Sequence, residues 1–250
     1  MKSFTIERLK VKVYKDRAEL GRAAAEDVGA AMREIQAGGR RVRAAFAAAP
    51  SQDDFLEALS RAPGVDWSRV EAFQLDEYVG LPASSPRSHQ AYLARKLFSV
   101  VRPGEVRILD GTAPPRAECA RYGELIRRAP LDIVCLGIGN NGHLALNEPH
   151  AADFNDPETV KIVELDRISL RQQVQTGIFA RLEEVPRFAL TLTLPVLRSA
   201  ARAFCIVPGF SKREAVRQAL QGPITTACPA SLLREHPDAT LYLELDSHGR

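Results

Sequence analysis

Apolar residues recur along this chain at two alternating periods, and each change of period marks a passage between helix and strand. Leu20, Ala24, Val28, Met32 and Ile35 repeat at helical spacing behind Asp16, a good N-cap, and predict a helix over 17–36. Gly38-Gly39 breaks it, and the run Val42 to Ala49 suits a short buried strand. Phe55, Leu56 and Leu59 begin another helical stripe with Ser51 as its cap, and Val70 to Leu75 reads as the next strand. A helix near 88–98, carrying Tyr92, Leu93 and Leu97, precedes a strand at Val106–Leu109. A helix near 115–128 precedes the strand Asp132-Ile-Val-Cys-Leu-Gly137. The second half continues with a strand Val160–Leu165, a helix near 167–175 and strands Ala189–Leu192 and Ala203–Val207. A helix Ser211–Leu220 and a strand Thr240–Leu245 end the series.

Such alternation implies right-handed crossovers and an α/β fold of three layers, a mainly parallel sheet with helices on both faces. No internal repeat, low-complexity linker or shift in composition interrupts it, so residues 1–250 are expected to form a single domain. In sheets of this kind ligands bind beyond the carboxyl ends of the strands. That rule selects the segments in which chemistry is sought.

Composition narrows the classes. Apolar residues make up 45% of the 250, enough for a large core, and the net charge is only +3. Basic residues are scattered among acids and aromatics are 6%, which argues against a nucleic-acid partner. Charges interrupt the apolar residues of the first nine positions, no cleavage site follows, and no apolar run reaches membrane-spanning length. Neither a secretory signal nor a membrane partner is therefore expected. Cys119, Cys135, Cys205 and Cys228 have neither C-x-x-C pairing nor finger spacing, so no metal site is expected and a reducing cytoplasm fits best.

Three strand ends carry unusual residues. After Leu75 comes Asp76-Glu77, two acids where the chain leaves the sheet; after Leu136 comes Gly137-Ile-Gly-Asn-Asn-Gly-His143, followed by Glu148; after Phe46 comes Ala47-Ala-Ala49-Pro-Ser51-Gln52. Gly137, Gly139 and Gly142 allow the backbone to approach a ligand and turn its N–H groups toward an anion. The imidazole of His143 can shuttle a proton at a sugar ring oxygen, with Glu148 to orient it. Asp76 has the type and position of a carbon-acid base. Against this, a lone glycine-rich turn is more often a tight connection, a histidine beside it is as often structural, and paired acids such as Asp76-Glu77 most often form a solvated turn or start a helix. The convergence of three such features tips the balance.

Leu75-Asp-Glu-Tyr-Val-Gly-Leu81 and Gly137-Ile-Gly-Asn-Asn-Gly-His-Leu-Ala-Leu-Asn-Glu-Pro149 resemble the two signatures of the glucosamine-6-phosphate deaminase/isomerase family. Cys228-Pro-Ala-Ser231 with His236-Pro237 is similar to a segment near that family's C-terminus. The resemblance implies a Rossmann-like sugar-phosphate isomerase fold and a reaction without cofactor. In it His143 helps open an amino-hexose phosphate ring, Asp76 moves a proton between C2 and C1, Glu148 supports the histidine, and ammonia leaves a ketose phosphate. Lys212, in Gly209-Phe-Ser-Lys212, matches the family lysine on the sugar phosphate, and Glu77, Ala49, Ser51, Gly137, Gly139 and Gly142 would line the substrate. Relatives are often oligomeric, which leaves a homo-oligomer open.

Two departures stand out. Asn141 replaces the family aspartate, and it cannot stabilise an imidazolium by charge. Ala48-Ala49-Pro50-Ser51-Gln52 replaces a Ser/Thr-Gly-Gly-Thr-Pro phosphate loop, so the wrapping glycines are gone and Pro50 removes an N–H donor. Arg171, Gln172 and Gln173 are substitute ligands, although a polar helix face is the plainer reading. Three functions stay open: an isomerase-deaminase, a lactone hydrolase resembling 6-phosphogluconolactonase, and a non-catalytic sugar-phosphate-binding protein.

Overall fold

The computed structural model describes residues 2–249. An antiparallel hairpin opens the chain, β1 (Lys2–Ile6) and β2 (Leu9–Tyr14). Then come α1 (Arg17–Ala37), β3 (Val42–Phe46), α2 (Asp53–Ser60), β4 (Val70–Gln74) and β5 (Asp76–Tyr78). Helix α3 (His89–Leu93) passes through a π-helical turn, Ala94–Phe98, into the short α4 (Ser99–Val101). Next are β6 (Glu105–Arg107), α5 (Pro115–Arg127) and β7 (Ile133–Leu136). The remainder holds β8 (Val160–Glu164), α6 (Arg167–Gln175), β9 (Phe188–Leu192), α7 (Leu194–Ser199), β10 (Arg202–Val207), α8 (Arg213–Gln221), β11 (Ala239–Glu244) and α9 (Leu245–His248).

Eight strands form one sheet in the order β1-β2-β11-β10-β7-β3-β4-β6, parallel at every pairing except β1 with β2. The central strands are buried on both faces, and the period of two sorts their side chains into two cores. Val134 and Leu136 pack with Tyr122 and Ile126 of α5, Leu197 of α7 and Val216 of α8. Ile133 and Cys135 point the other way, to Leu20, Val28 and Met32 of α1 and Phe55 and Leu59 of α2. Asp16 caps α1 as its spacing predicts, accepting from Glu19 N at 2.8 Å.

Three expectations need correction. The strands at 160–165 and 189–192 do not join the parallel sheet. With β5 they make a second, antiparallel sheet in the order β5-β9-β8. Past its first residue, β8 exposes Ile162 and Glu164 on one face and buries Val163 on the other, the alternation of a strand covered on one face only. Asp76 and Glu77 likewise enter a strand rather than a turn, because β5 pairs with Ala189–Thr191. Ser51 is not a helix cap: Pro50–Gln52 forms a 3-10 turn before α2, without a side-chain cap bond at either start. The opening hairpin was also absent from the predicted elements, although Leu9-Lys-Val11-Lys-Val13 alternates apolar and charged positions as a strand buried on one face does.

The topology prepares a crevice. From β3 the chain moves to β4 and β6 on one side, then returns to β7 on the other and continues to β10 and β11. Connections beyond the ends of β3 and β7 therefore diverge, which leaves a gap between them.

Candidate active site

That gap is lined by Ala47–Gln52 after β3, Asp76 after β4, His89, the turn Gly137–Gly139 with His143, Gln172 and Gln173 of α6, and Lys212 after β10. A wider groove of about 600 Å³ lies between α1 and α2, but Arg22, Glu26, Glu57 and Arg61 there are solvated charges without convergent chemistry. Among the described residues no helix is long and apolar enough to cross a membrane, and no three His, Cys, Asp or Glu side chains gather to hold a metal.

The glycine turn folds back on itself, with Gly139 N donating to His143 O and Gly142 N to Gly139 O, both at 3.0 Å. Gly142 has φ +86, and a Cβ there would meet Cys228 Sγ at 2.9 Å. At Gly139 a Cβ would lie 2.1 Å from the His143 ring, so the imidazole occupies the space the glycine leaves. The ring is buried, and its Nδ1 lies 3.2 Å from Ser169 Oγ and 3.5 Å from Glu148 Oε2. A carboxylate beside Nδ1 assigns the proton of the neutral ring to that nitrogen. Nε2, which has no partner among the described residues, is then the unprotonated nitrogen of a ring that borders the cleft.

Asn141 organises the acids behind the histidine. Its Nδ2 donates to Glu148 Oε2 and to Asp166 Oδ2, each at 2.6 Å, and its Oδ1 accepts from His143 N at 3.2 Å. Both near neighbours of Nδ2 are carboxylates, which only accept, so the amide has a single workable orientation. An aspartate at this position would be a third negative group at hydrogen-bond distance from two others. The replaced residue is thus matched to its surroundings. Burial pushes the Glu148 carboxyl up, but His143, Ser169 and Asn141 together outweigh it and hold it below the usual carboxylate range.

Asp76 and Glu77 have separate surroundings. Glu77 Oε1 accepts from Tyr78 N and His89 N, and Oε2 from Gln74 Nε2 and Gln90 N, at 2.8–3.1 Å. It is consumed in holding the start of α3 and does not border the cleft, contrary to the substrate contact expected of it. Asp76 borders the cleft, with Oδ1 accepting from His89 Nδ1 at 2.5 Å and Oδ2 without a protein partner. Burial pushes the His89 imidazole down, but the charges of Asp76 and Glu77 raise it to about 9.

Across the cleft, Lys212 is 8% exposed and faces no carboxylate among the described residues; burial lowers its ammonium to about 8. Its Nζ donates to Gln172 Oε1 at 3.2 Å, and that oxygen also accepts from Asn140 N at 2.8 Å. Gln52 Nε2 donates to Ile206 O and Ser51 Oγ, and Gln52 Oε1 is buried without a partner. The cluster offers a cation, hydroxyl and amides in place of a glycine loop, a set suited to an anion.

The structure brings Asp76, His143, Ala49, Ser51, Gly137, Gly139 and Lys212 to one cleft, puts Glu148 and Asn141 behind His143, and leaves Glu77, Gly142 and the exposed Arg171 outside it. Sequence reasoning missed His89, Asp166, Ser169 and Gln52. Ser88 and Asp166 were legible as helix caps, but their neighbours' cleft contacts carry no local signal.

Residues 15–242 match the family model described as glucosamine-6-phosphate isomerases/6-phosphogluconolactonase. A glucosamine-6-phosphate deaminase of Listeria welshimeri is 38% identical over 181 residues, 72% of this chain and 75% of that protein. One of Exiguobacterium sibiricum is 36% identical over 185 residues, 74% of this chain and 71% of that protein. Among solved structures, a monomeric glucosamine-6-phosphate deaminase superposes with a TM-score of 0.87 at 28% identity, covering 95% of this chain and 98% of its own. A 6-phosphogluconolactonase of Thermotoga maritima shares the fold at a TM-score of 0.78 and 18% identity, covering 95% and 100%.

Proposed function

The chain belongs to the family of glucosamine-6-phosphate isomerases and 6-phosphogluconolactonases, and from that membership we propose an isomerase-deaminase acting on an amino-hexose phosphate of the glucosamine-6-phosphate type. One observation carries the reading. His143 and Asp76 border the same cleft, while Nδ1 of the one and Oδ1 of the other are taken up by protein partners, which leaves His143 Nε2 and Asp76 Oδ2 for a substrate.

The steps follow from those two free atoms. His143 Nε2 takes the proton of the C1 hydroxyl and returns it to the ring oxygen, which opens the ring. Glu148 stabilises the imidazolium formed in between, being buried and held in its ionised form. Asp76 Oδ2 removes the C2 proton and delivers it to C1, so the aldehyde carbon is reduced as C2 is oxidised to an imine. Water adds to that imine and ammonia leaves, giving a ketose phosphate; substrate plus water balances product plus ammonia. Lys212, Ser51 and Gln172 hold the phosphate, whose dianion supplies the charge that the buried ammonium lacks. A cytoplasmic location accords with four free cysteines.

Ammonia release from glucosamine 6-phosphate tests the reading. Asp76→Asn should lower kcat at least about a hundredfold, the size of a lost general base. Full activity in that variant would sink the assignment. In deuterated water the deaminase route exposes the migrating proton to exchange, whereas lactone hydrolysis leaves C2 untouched.

A further inference from the structure

Asp76 has a partner that neither its sequence position nor the family resemblance assigns. His89 begins α3, and two contacts fix it there: its backbone N donates to Glu77 Oε1 at 3.0 Å, and its ring lies 4.5 Å from that of Tyr78 at a 59° tilt. Its Nδ1 reaches Oδ1 of Asp76 at 2.5 Å and the Asp76 carbonyl at 3.1 Å, with both side chains below one-tenth exposed. Nε2 has no partner among the described residues, and His89 borders the cleft.

We propose that His89 is a positioning residue for the base: by donating through Nδ1 to Asp76 Oδ1 it locks the carboxylate so that Oδ2 alone meets the C2 proton. The proposal rests on the deaminase reading. A carboxylate on a short side chain turns about its last bond unless both ends of its plane are constrained, and a general base tolerates little misplacement. Backbone donors constrain Glu77 in that way. Gln74 Nε2 holds only the Asp76 carbonyl, and among the described residues the Asp76 carboxylate has His89 as its one donor.

Charge joins geometry in this contact. Asp76 and Glu77 of β5 face the imidazole as anions, with Tyr78 as a neutral ring. His143 and Lys212 share the cleft on its far side, and Arg87, Arg95, Lys96 and Asp53 line the groove that runs past His89 on the other. The two adjacent carboxylates prevail, so the ring is an imidazolium at neutral pH and loses its charge as pH rises through about 9. Above that value the buried anions lose their counter-charge, and turnover should fall.

Two variants separate geometry from charge. His89→Leu removes the donor, and kcat should fall about ten- to a hundredfold with KM changed by less than about threefold. His89→Asn places an amide N–H near the lost Nδ1; it should recover most of kcat and lack the alkaline limb near pH 9. Imidazole resonances, followed by NMR in wild type and Asp76→Asn, give a readout independent of turnover: His89 should titrate near 9 in the first and markedly lower in the second. Unchanged kcat and pH profile in folded His89→Leu, or a titration indifferent to Asp76, would overturn the proposal. If His89→Leu does not fold, His89→Asn and the titration decide alone. A wild type that releases no ammonia, with the titration as expected, would sink the deaminase reading instead and leave the ion pair standing.

Discussion

Two residues show how narrowly this site is built. Gly139 leaves the volume that the His143 ring fills, since its absent Cβ would sit 2.1 Å from the imidazole. Gly139→Ala should leave the fold and melting temperature nearly intact while lowering kcat by about a hundredfold or more, as displacement of a proton shuttle by roughly 1 Å would. Steady-state kinetics beside a thermal melt checks this. Asn141 makes a sharper case, because here the family aspartate would be the damaging residue. Asn141→Asp would set three carboxylates at about 2.6 Å spacing, which raises one pKa strongly or pushes the groups apart. We expect lower stability and at least about a tenfold loss of kcat, with Asp166→Asn restoring both in the double variant. Additive losses in that cycle would show that the two side chains do not communicate. Asn141 stood out in the sequence as a departure; its compensation by Asp166, 25 residues away, did not. The contact is made across a chain reversal that no local pattern records.

At the scale of elements, the two ends of the sheet do different work. The carboxyl ends of β3, β4, β7 and β10 hold the cleft, whereas the opposite end is closed by a buried ion network. Arg43, the second residue of β3, donates to Glu71 of β4 at 2.9 Å and to the carbonyls of Leu125 and Ile126 at the last turn of α5. Burial pushes the Glu71 carboxyl up, but Arg107 and Arg43 outweigh it and hold it below the usual range. Arg43→Met should therefore cost about 1–3 kcal/mol, because it takes one of two guanidinium partners from Glu71, which keeps Arg107, and leaves two carbonyls without their donor, yet leave kcat and KM unchanged. Urea unfolding and kinetics on one preparation test both halves, and a loss of kcat would contradict the division of labour. Helices and central strands were legible because their burial repeats along the chain: α1 keeps its stripe from Leu20 to Met32, and β7 is buried at every position. Register and partner choice were not. Strand β9 has four buried residues of five, like a parallel core strand, yet it pairs antiparallel with β5 and β8. Whether a buried run faces a helix or a second sheet depends on what covers it, and the run itself does not say.

For the molecule as a whole, stability is given up where the ligand binds. Lys212 is buried without an acid, and its ammonium is lowered from 10.5 to about 8, so the fold carries the full cost of its charge below about pH 8. That cost is relieved as pH rises from about 8 toward 10.5, where the unfolded chain still holds the proton. Lys212→Met should be the more stable protein at pH 7 and lose that advantage by pH 10, while binding inorganic phosphate more weakly. Urea titrations at the two pH values measure the first, and isothermal calorimetry the second. Equal stability at both values would mean that the ammonium is solvated after all. The hydrophobic pattern by itself determined an α/β chain with a mainly parallel sheet, and the glycine turn and its histidine marked a strand end that borders the cleft, because periodicity and backbone freedom are local properties. Tertiary structure alone decided that His89 holds Asp76, that Asp166 answers Asn141, and that Glu77 serves the fold. Those assignments depend on distances between segments brought together by the topology, and such distances leave no trace in the order of residues.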